Sequence, residues 1–111
     1  MVERIPGVRP LAQALAEPLW QPVAEAIVRM HRAGVWHADL NAFNILIGSD
    51  SRVWLIDFDR GTQGGLSDRQ RQGNLDRLRR SLVKVAGDEG ERFWLKLRDS
   101  YWTAWGVGAQ P

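Results

Sequence analysis

The chain has 111 residues and a mass of 12.6 kDa, enough for one domain with a modest core and too short for two. Apolar residues make up 44% and charged residues 25%, the balance of a soluble folded protein. The absence of cysteine excludes a disulfide framework, a thiolate metal site and a cysteine nucleophile, and a formal charge of +2 gives no reason to expect a nucleic-acid partner.

Pro10 to Ala16 predicts a short helix with proline at its first position. Pro18 opens a second helix running to about Ala33, with Leu19, Val23, Ala26, Ile27 and Met30 on one face. Gly34 is placed to stop it as a left-handed cap. A polar stretch follows, Val35 to Asn44, and then two β-rich runs, Ile45–Ile47 and Val53–Ile56. The five residues between the runs read as a hairpin loop, and the second run ends in Asp57-Phe58-Asp59-Arg60.

Gly61 to Gly65 reads as a flexible stretch. Ser67 and Gln70 have the spacing of a capping box. Leu75, Leu78, Leu82 and Val85 mark an amphipathic helix that Gly87 breaks. Asp88 can cap a last helix with Phe93, Trp94, Leu97, Tyr101 and Trp105 on its apolar face, and the tail from Gly106 to Pro111 reads as loose. The predicted class is α+β, mainly helical, with a small β-hairpin.

Charge is unevenly shared. Residues 1–59 carry five arginines against seven acidic residues, and residues 60–111 carry ten Lys/Arg against six. The basic half, including Arg77, Arg79 and Arg80, reads as solvated helix faces, with phosphate groups or an anionic membrane as the alternative. Trp20, Trp36 and Trp54 are expected in the core. Trp94, Trp102 and Trp105 cannot all share one face of the last helix, so one of them is a candidate surface contact. His31, near a helix end, is expected to interact with the helix dipole. No apolar stretch reaches bilayer length and the first seven residues hold no signal core, so the sequence predicts a cytoplasmic protein.

Polar residues gather at 37–44 and 57–60, both at ends of short strands, where side chains can be held rigidly. A hairpin returns its second strand beside its first, which brings Asp57 near Asn44. An Asn oxygen and an Asp carboxylate are hard ligands suited to Mg²⁺. A second carboxylate, Asp39, is then free to accept a proton from an attacking hydroxyl, and these are the parts that phosphoryl transfer requires. Each residue also has a plainer use. Asp39 and Asp57 serve as caps or turn formers, Asn44 as a loop brace, and His37 as a packing residue.

These residues match a known pattern. His37-x-Asp39-Leu40-x-x-x-Asn44 resembles the catalytic loop of protein kinases, and Asp57-Phe58-Asp59 resembles their Asp-Phe-Gly metal motif. The wording His-x-Asp-Leu-Asn-x-x-Asn-Ile-Leu, followed by Trp-Leu-Ile-Asp-Phe-Asp-Arg, is closer to the bacterial 3-deoxy-D-manno-octulosonic acid (Kdo) kinases of the lipopolysaccharide kinase family. Asn74-Leu75-x-Arg77-Leu78-x-Arg80-Ser81-Leu82 resembles that family too, and Glu3-Arg4-Ile5-Pro6-Gly7 resembles its inter-lobe hinge.

The resemblance implies an ATP-dependent, Mg²⁺-using kinase acting on a hydroxyl of Kdo, the 4-hydroxyl, on a lipid A precursor at the cytoplasmic face of the inner membrane. Asp39 matches the catalytic base, and Asn44 and Asp57 match the metal and nucleotide ligands. His37 matches a supporting histidine. Asn41 stands where protein kinases often carry Lys or Arg, and Asp59 and Arg60 stand where protein kinases carry the glycine of the metal motif. The glycine-rich loop and strand lysine of a kinase N-lobe have no counterpart, because Lys84 and Lys96 are the only lysines and both follow the motif. Residues 1–111 thus resemble a C-lobe that begins at the hinge, and the isolated chain is expected to be weakly active or inactive. A non-catalytic kinase-like module is the alternative, as is a kinase for another sugar, an aminoglycoside or a protein.

Overall fold

The computed structural model describes residues 8–35, 37, 39–48, 50, 52–56 and 67–106. Within them the chain forms, in order, strand β1 (Arg9–Pro10), a single 3-10 turn (Leu11–Gln13), helix α1 (Trp20–Arg32), strands β2 (Ile45–Ile47) and β3 (Val53–Leu55), and helices α2 (Asp68–Ala86) and α3 (Asp88–Trp105). The fold is mainly helical with one small antiparallel sheet. Residues 1–7 of the hinge-like segment 1–9, Trp36, the acidic motif 57–60, the glycine stretch 61–65 and residues 107–111 of the tail lie outside the described residues.

The sheet runs in the order β1-β2-β3. Arg9 faces Ile47 and Pro10 faces Leu46, while Ile45, Leu46 and Ile47 face Leu55, Trp54 and Val53. The expected hairpin is therefore present, with a third, edge strand where the sequence reading ended a hinge-like segment at Arg9 and began a helix at Pro10. Pro10 suits an edge, where its missing N–H is not needed. Only one 3-10 turn forms where the sequence predicts a helix over 10–16. Seven residues are few for an independent helix, and Glu17, preceding Pro18, is pushed away from helical geometry.

α1 begins at Trp20 rather than at Pro18. Pro22 sits in its first turn, where amide hydrogens have no intrahelical partner in any case. At its other end the Gly34 amide donates to the His31 carbonyl (3.0 Å) and the Val35 amide to the Met30 carbonyl (3.1 Å), with Gly34 at φ 79°. This is the Schellman pattern, and the left-handed residue it needs is the glycine the sequence supplies. It turns the chain sharply into the polar stretch.

α2 opens on the predicted capping box. Gln70 N–H donates to Ser67 Oγ (3.1 Å) and Ser67 N–H to Gln70 Oε1 (2.9 Å). Its buried line runs through Leu75, Leu78 and Leu82 and passes to Ala86, so Val85 lies on the exposed side instead of in the core. Gly87 separates α2 from α3 and occupies the N-cap position expected for Asp88, which becomes the first residue of the helix. Gly106, expected in the loose tail, is the left-handed C-cap of α3.

The core lies where α3 packs on both α1 and α2. Val23 and Ile27 of α1, Leu78 and Leu82 of α2, and Phe93 and Leu97 of α3 all belong to it. Leu40, Ile45 and Ile47 carry the same core under the loop and sheet. Trp94 is fully buried, and Trp20, Trp54, Trp102 and Trp105 are half-buried. Trp105 stacks on Tyr101 and under the guanidinium groups of Arg71 (4.2 Å) and Arg32 (4.5 Å), so the C-terminal tryptophans pack largely within the molecule. No described helix is long and apolar enough to cross a membrane.

Candidate active site

The loop entering β2 is braced by its own side chains. The Asp39 carbonyl accepts from Asn41 Nδ2 (3.0 Å) and from Asn44 Nδ2 (2.9 Å). Asn41 Oδ1 accepts the amides of Phe43 (2.8 Å) and Asn44 (3.1 Å). Short amide side chains favour such local bonds over helix or strand. Asn44 therefore combines a bracing role with an available acceptor, since no described donor reaches its Oδ1. The Asn44 carbonyl in turn accepts the Ile56 amide (3.0 Å), which fixes the backbone directly ahead of position 57.

His37 is fully buried behind this loop. Its Nε2–H donates to the Ile56 carbonyl (2.8 Å) and its Nδ1 accepts the Asp39 amide (3.0 Å). The ring thus ties the two polar segments, 37–44 and the end of β3, to each other. Using one nitrogen toward each segment fixes the orientation of the ring.

The support continues into the helices. Asn74 of α2, buried, accepts the His37 amide on Oδ1 (3.2 Å) and donates Nδ2 to the His37 carbonyl (2.5 Å). The same Oδ1 accepts from His31 Nε2 of α1 (3.0 Å), and His31 Nδ1 accepts from the Tyr101 hydroxyl of α3 (2.8 Å). One chain of hydrogen bonds therefore links all three helices to the loop. Burial holds His31 below the usual histidine range and pushes the Tyr101 hydroxyl up to about 12. His31 is thus a neutral core residue, which corrects the expectation that it serves the helix dipole.

Seven residues beyond Asn74, Ser81 Oγ accepts the Ala42 amide (2.9 Å). Between them Arg77 Nη1 lies 3.5 Å from Asp39 Oδ1, with both side chains largely solvent-accessible. Arg77 is therefore engaged with the loop instead of lying on a free solvated face. Asn74 and Ser81 were absent from the sequence-derived site. The available signal was their place in the family-like run from Asn74 to Leu82, two turns apart beside the apolar line of α2.

The structure brings Asp39, Asn41, Asn44 and His37 together. Asp57, Asp59 and Arg60 lie outside the described residues. Among those described, no group of three His, Asp or Glu side chains gathers to hold a metal.

The sequence from residue 4 to residue 101 matches the model of the lipopolysaccharide kinase (Kdo/WaaP) family. The chain belongs to this family. It is 41% identical to a 3-deoxy-D-manno-octulosonic acid kinase of Xanthomonas axonopodis pv. citri (strain 306), 43% to one of Stenotrophomonas maltophilia (strain R551-3), and 40% to one of Xylella fastidiosa (strain M12). Each match takes in 97% of this chain and 47% of the relative. The chain thus spans about half the length of the curated relatives it matches.

Proposed function

We propose that this chain is the catalytic-loop half of an ATP-dependent kinase whose acceptor is a hydroxyl, the 4-hydroxyl, of Kdo on a lipid A precursor. The observation that carries the reading is the braced loop: Asp39, backed by His37 and Asn74, stands exposed beside Asn44, in a family whose members include sugar-acid kinases. In this reading residues 1–111 correspond to a kinase C-lobe and work with an N-lobe.

Asp39 orients the sugar hydroxyl and takes its proton as the oxygen attacks the γ-phosphorus. The new O–P bond forms as the bond to the β-phosphate breaks, and ADP leaves. His37 and Asn74 hold the Asp39 backbone in place, so the barrier falls through positioning. Mg²⁺ and the nucleotide would be held by Asn44 and Asp57, and the ion would supply charge neutralisation on the phosphates. Asn44 fits that use, because its Nδ2 is committed to the Asp39 carbonyl and its Oδ1 is the hard oxygen such an ion takes. An amphiphilic acceptor would bring this face to the cytoplasmic side of the inner membrane.

The test is phosphate transfer from ATP to a Kdo-bearing lipid A precursor. It is run with the chain alone and with the chain fused to the half of the Xanthomonas relative that it does not match. The fusion should turn over, and Asp39→Asn should lower its rate by about 10²- to 10⁴-fold. Because the Asp39 side chain is exposed, that variant should keep its stability within about 0.5 kcal/mol. A fusion that transfers no phosphate to Kdo, or an Asp39→Asn variant at full rate, overturns the proposal.

A further inference from the structure

A cleft of about 500 Å³ opens beside Asp39, between the loop and α2. That volume is in the range of small-molecule sites. Asp39 and Asn41 line one side, and Arg77, Arg80, Ser81 and Lys84 line the other. Residues 77, 80, 81 and 84 fall at i, i+3, i+4 and i+7, which is one face of a helix. Three cations gathered on that face repel one another unless an anion joins them.

Their partners are sparse. Arg77 reaches Asp39 at 3.5 Å through an exposed pair, weak and screened by salt. Among the described residues no carboxylate pairs with Arg80 or Lys84. Phe43, 57% exposed, and Val85, 37% exposed, give the same cleft an apolar border. Asn44, the residue read above as facing the metal and nucleotide, does not line it. The cleft therefore offers positive charge, a hydroxyl and an aromatic face beside Asp39, with Asn44 outside its lining.

We infer that this cleft seats the acceptor by its carboxylate. Arg80 and Lys84 hold the carboxylate of an acidic sugar, Phe43 covers the apolar face of its ring, and the hydroxyl to be phosphorylated is left toward Asp39. A bound anion also competes for Arg77, which releases the Asp39 carboxylate for the hydroxyl. The inference rests on the sugar-acid reading above and adds which group of the acceptor is recognised, and by which residues.

The experiment titrates the chain and an Arg80→Gln/Lys84→Gln variant with free Kdo, Kdo methyl ester and inorganic phosphate, following the amide resonances of Ala42 and Ser81. Both substitutions are at exposed positions, and unchanged circular dichroism checks the fold. Kdo should bind the variant at least tenfold more weakly than the parent. The ester should bind the parent about as weakly as Kdo binds the variant. If Kdo binds both proteins equally, or the ester binds as well as the acid, the cleft assignment falls and the Kdo-kinase reading stands. If inorganic phosphate displaces Kdo at equal concentration, the site is a general oxyanion site and the carboxylate assignment falls. If the parent binds no Kdo at millimolar concentration, both the assignment and the acceptor reading fall.

Discussion

Asn74 carries more of the site than any residue picked from the sequence. It is a buried amide whose donor and acceptor are both used, the donor by His37 and the acceptor by His37 and His31. Asn74→Ala would leave the His37 amide, the His37 carbonyl and His31 Nε2 buried with a partner removed. A buried polar group left unsatisfied costs about 1–3 kcal/mol, so the variant should lose roughly 3 kcal/mol of stability by urea denaturation at unchanged m-value. Hydrogen exchange should report the local effect separately, because the Asp39 amide is protected by the ring of His37, whose backbone Asn74 holds. A loss under about 1 kcal/mol would mean that the loop is held without Asn74, by its internal asparagine bonds and its contacts to His37 and Ser81.

Among the elements, α2 is both a wall of the core and a bracket for the loop. Leu75, Leu78 and Leu82 face inward, while Asn74, Arg77 and Ser81 meet the loop. Its placement depends on a close crossing with α3, where a Cβ on Gly90 would stand 2.0 Å from the Leu82 carbonyl oxygen. In an open helix, alanine for glycine gains about 1 kcal/mol. Here Gly90→Ala should instead destabilise by about 2 kcal/mol or more, since the obstacle is backbone. Thermal unfolding checks the sign, and a gain in stability would show that the helices can separate without cost. Much of this architecture was legible in the chain. Periodicity gave α1, the Ser67/Gln70 pair gave the start of α2, Gly34 gave the end of α1, and the spacing of Asp39 and Asn44 gave the loop. What stayed hidden depends on distant partners. Asn74 and Ser81 stood in a run that resembles the family, but their bonds to the loop are made to residues far along the chain, and the close approach at Gly90 is made by α2. Arg9 and Pro10 became a strand only because β2 offers an edge for them to join.

For the whole molecule, the link between the helices at the base of the loop is a buried neutral pair, His31 and Tyr101, with Arg71 adding a positive charge close by. That pair makes global stability depend on pH at two ends. Burial lowers the folded-state pKa of His31, so the unfolded chain binds the proton more readily. Stability is then full above the unfolded value of about 6.5 and falls as the pH drops from there toward the folded value. Tyr101 acts in the opposite sense. Its hydroxyl is raised to about 12, so its contribution is intact below the unfolded value of about 10 and is lost as the pH climbs through the folded one. Urea midpoints measured between pH 5.5 and 7.5 should rise with pH. In His31→Gln, whose side chain can still bond but does not titrate, the same curve should be flatter although the protein is less stable at pH 7.5. Equal slopes in parent and variant would place the acid sensitivity elsewhere and overturn His31 as its source.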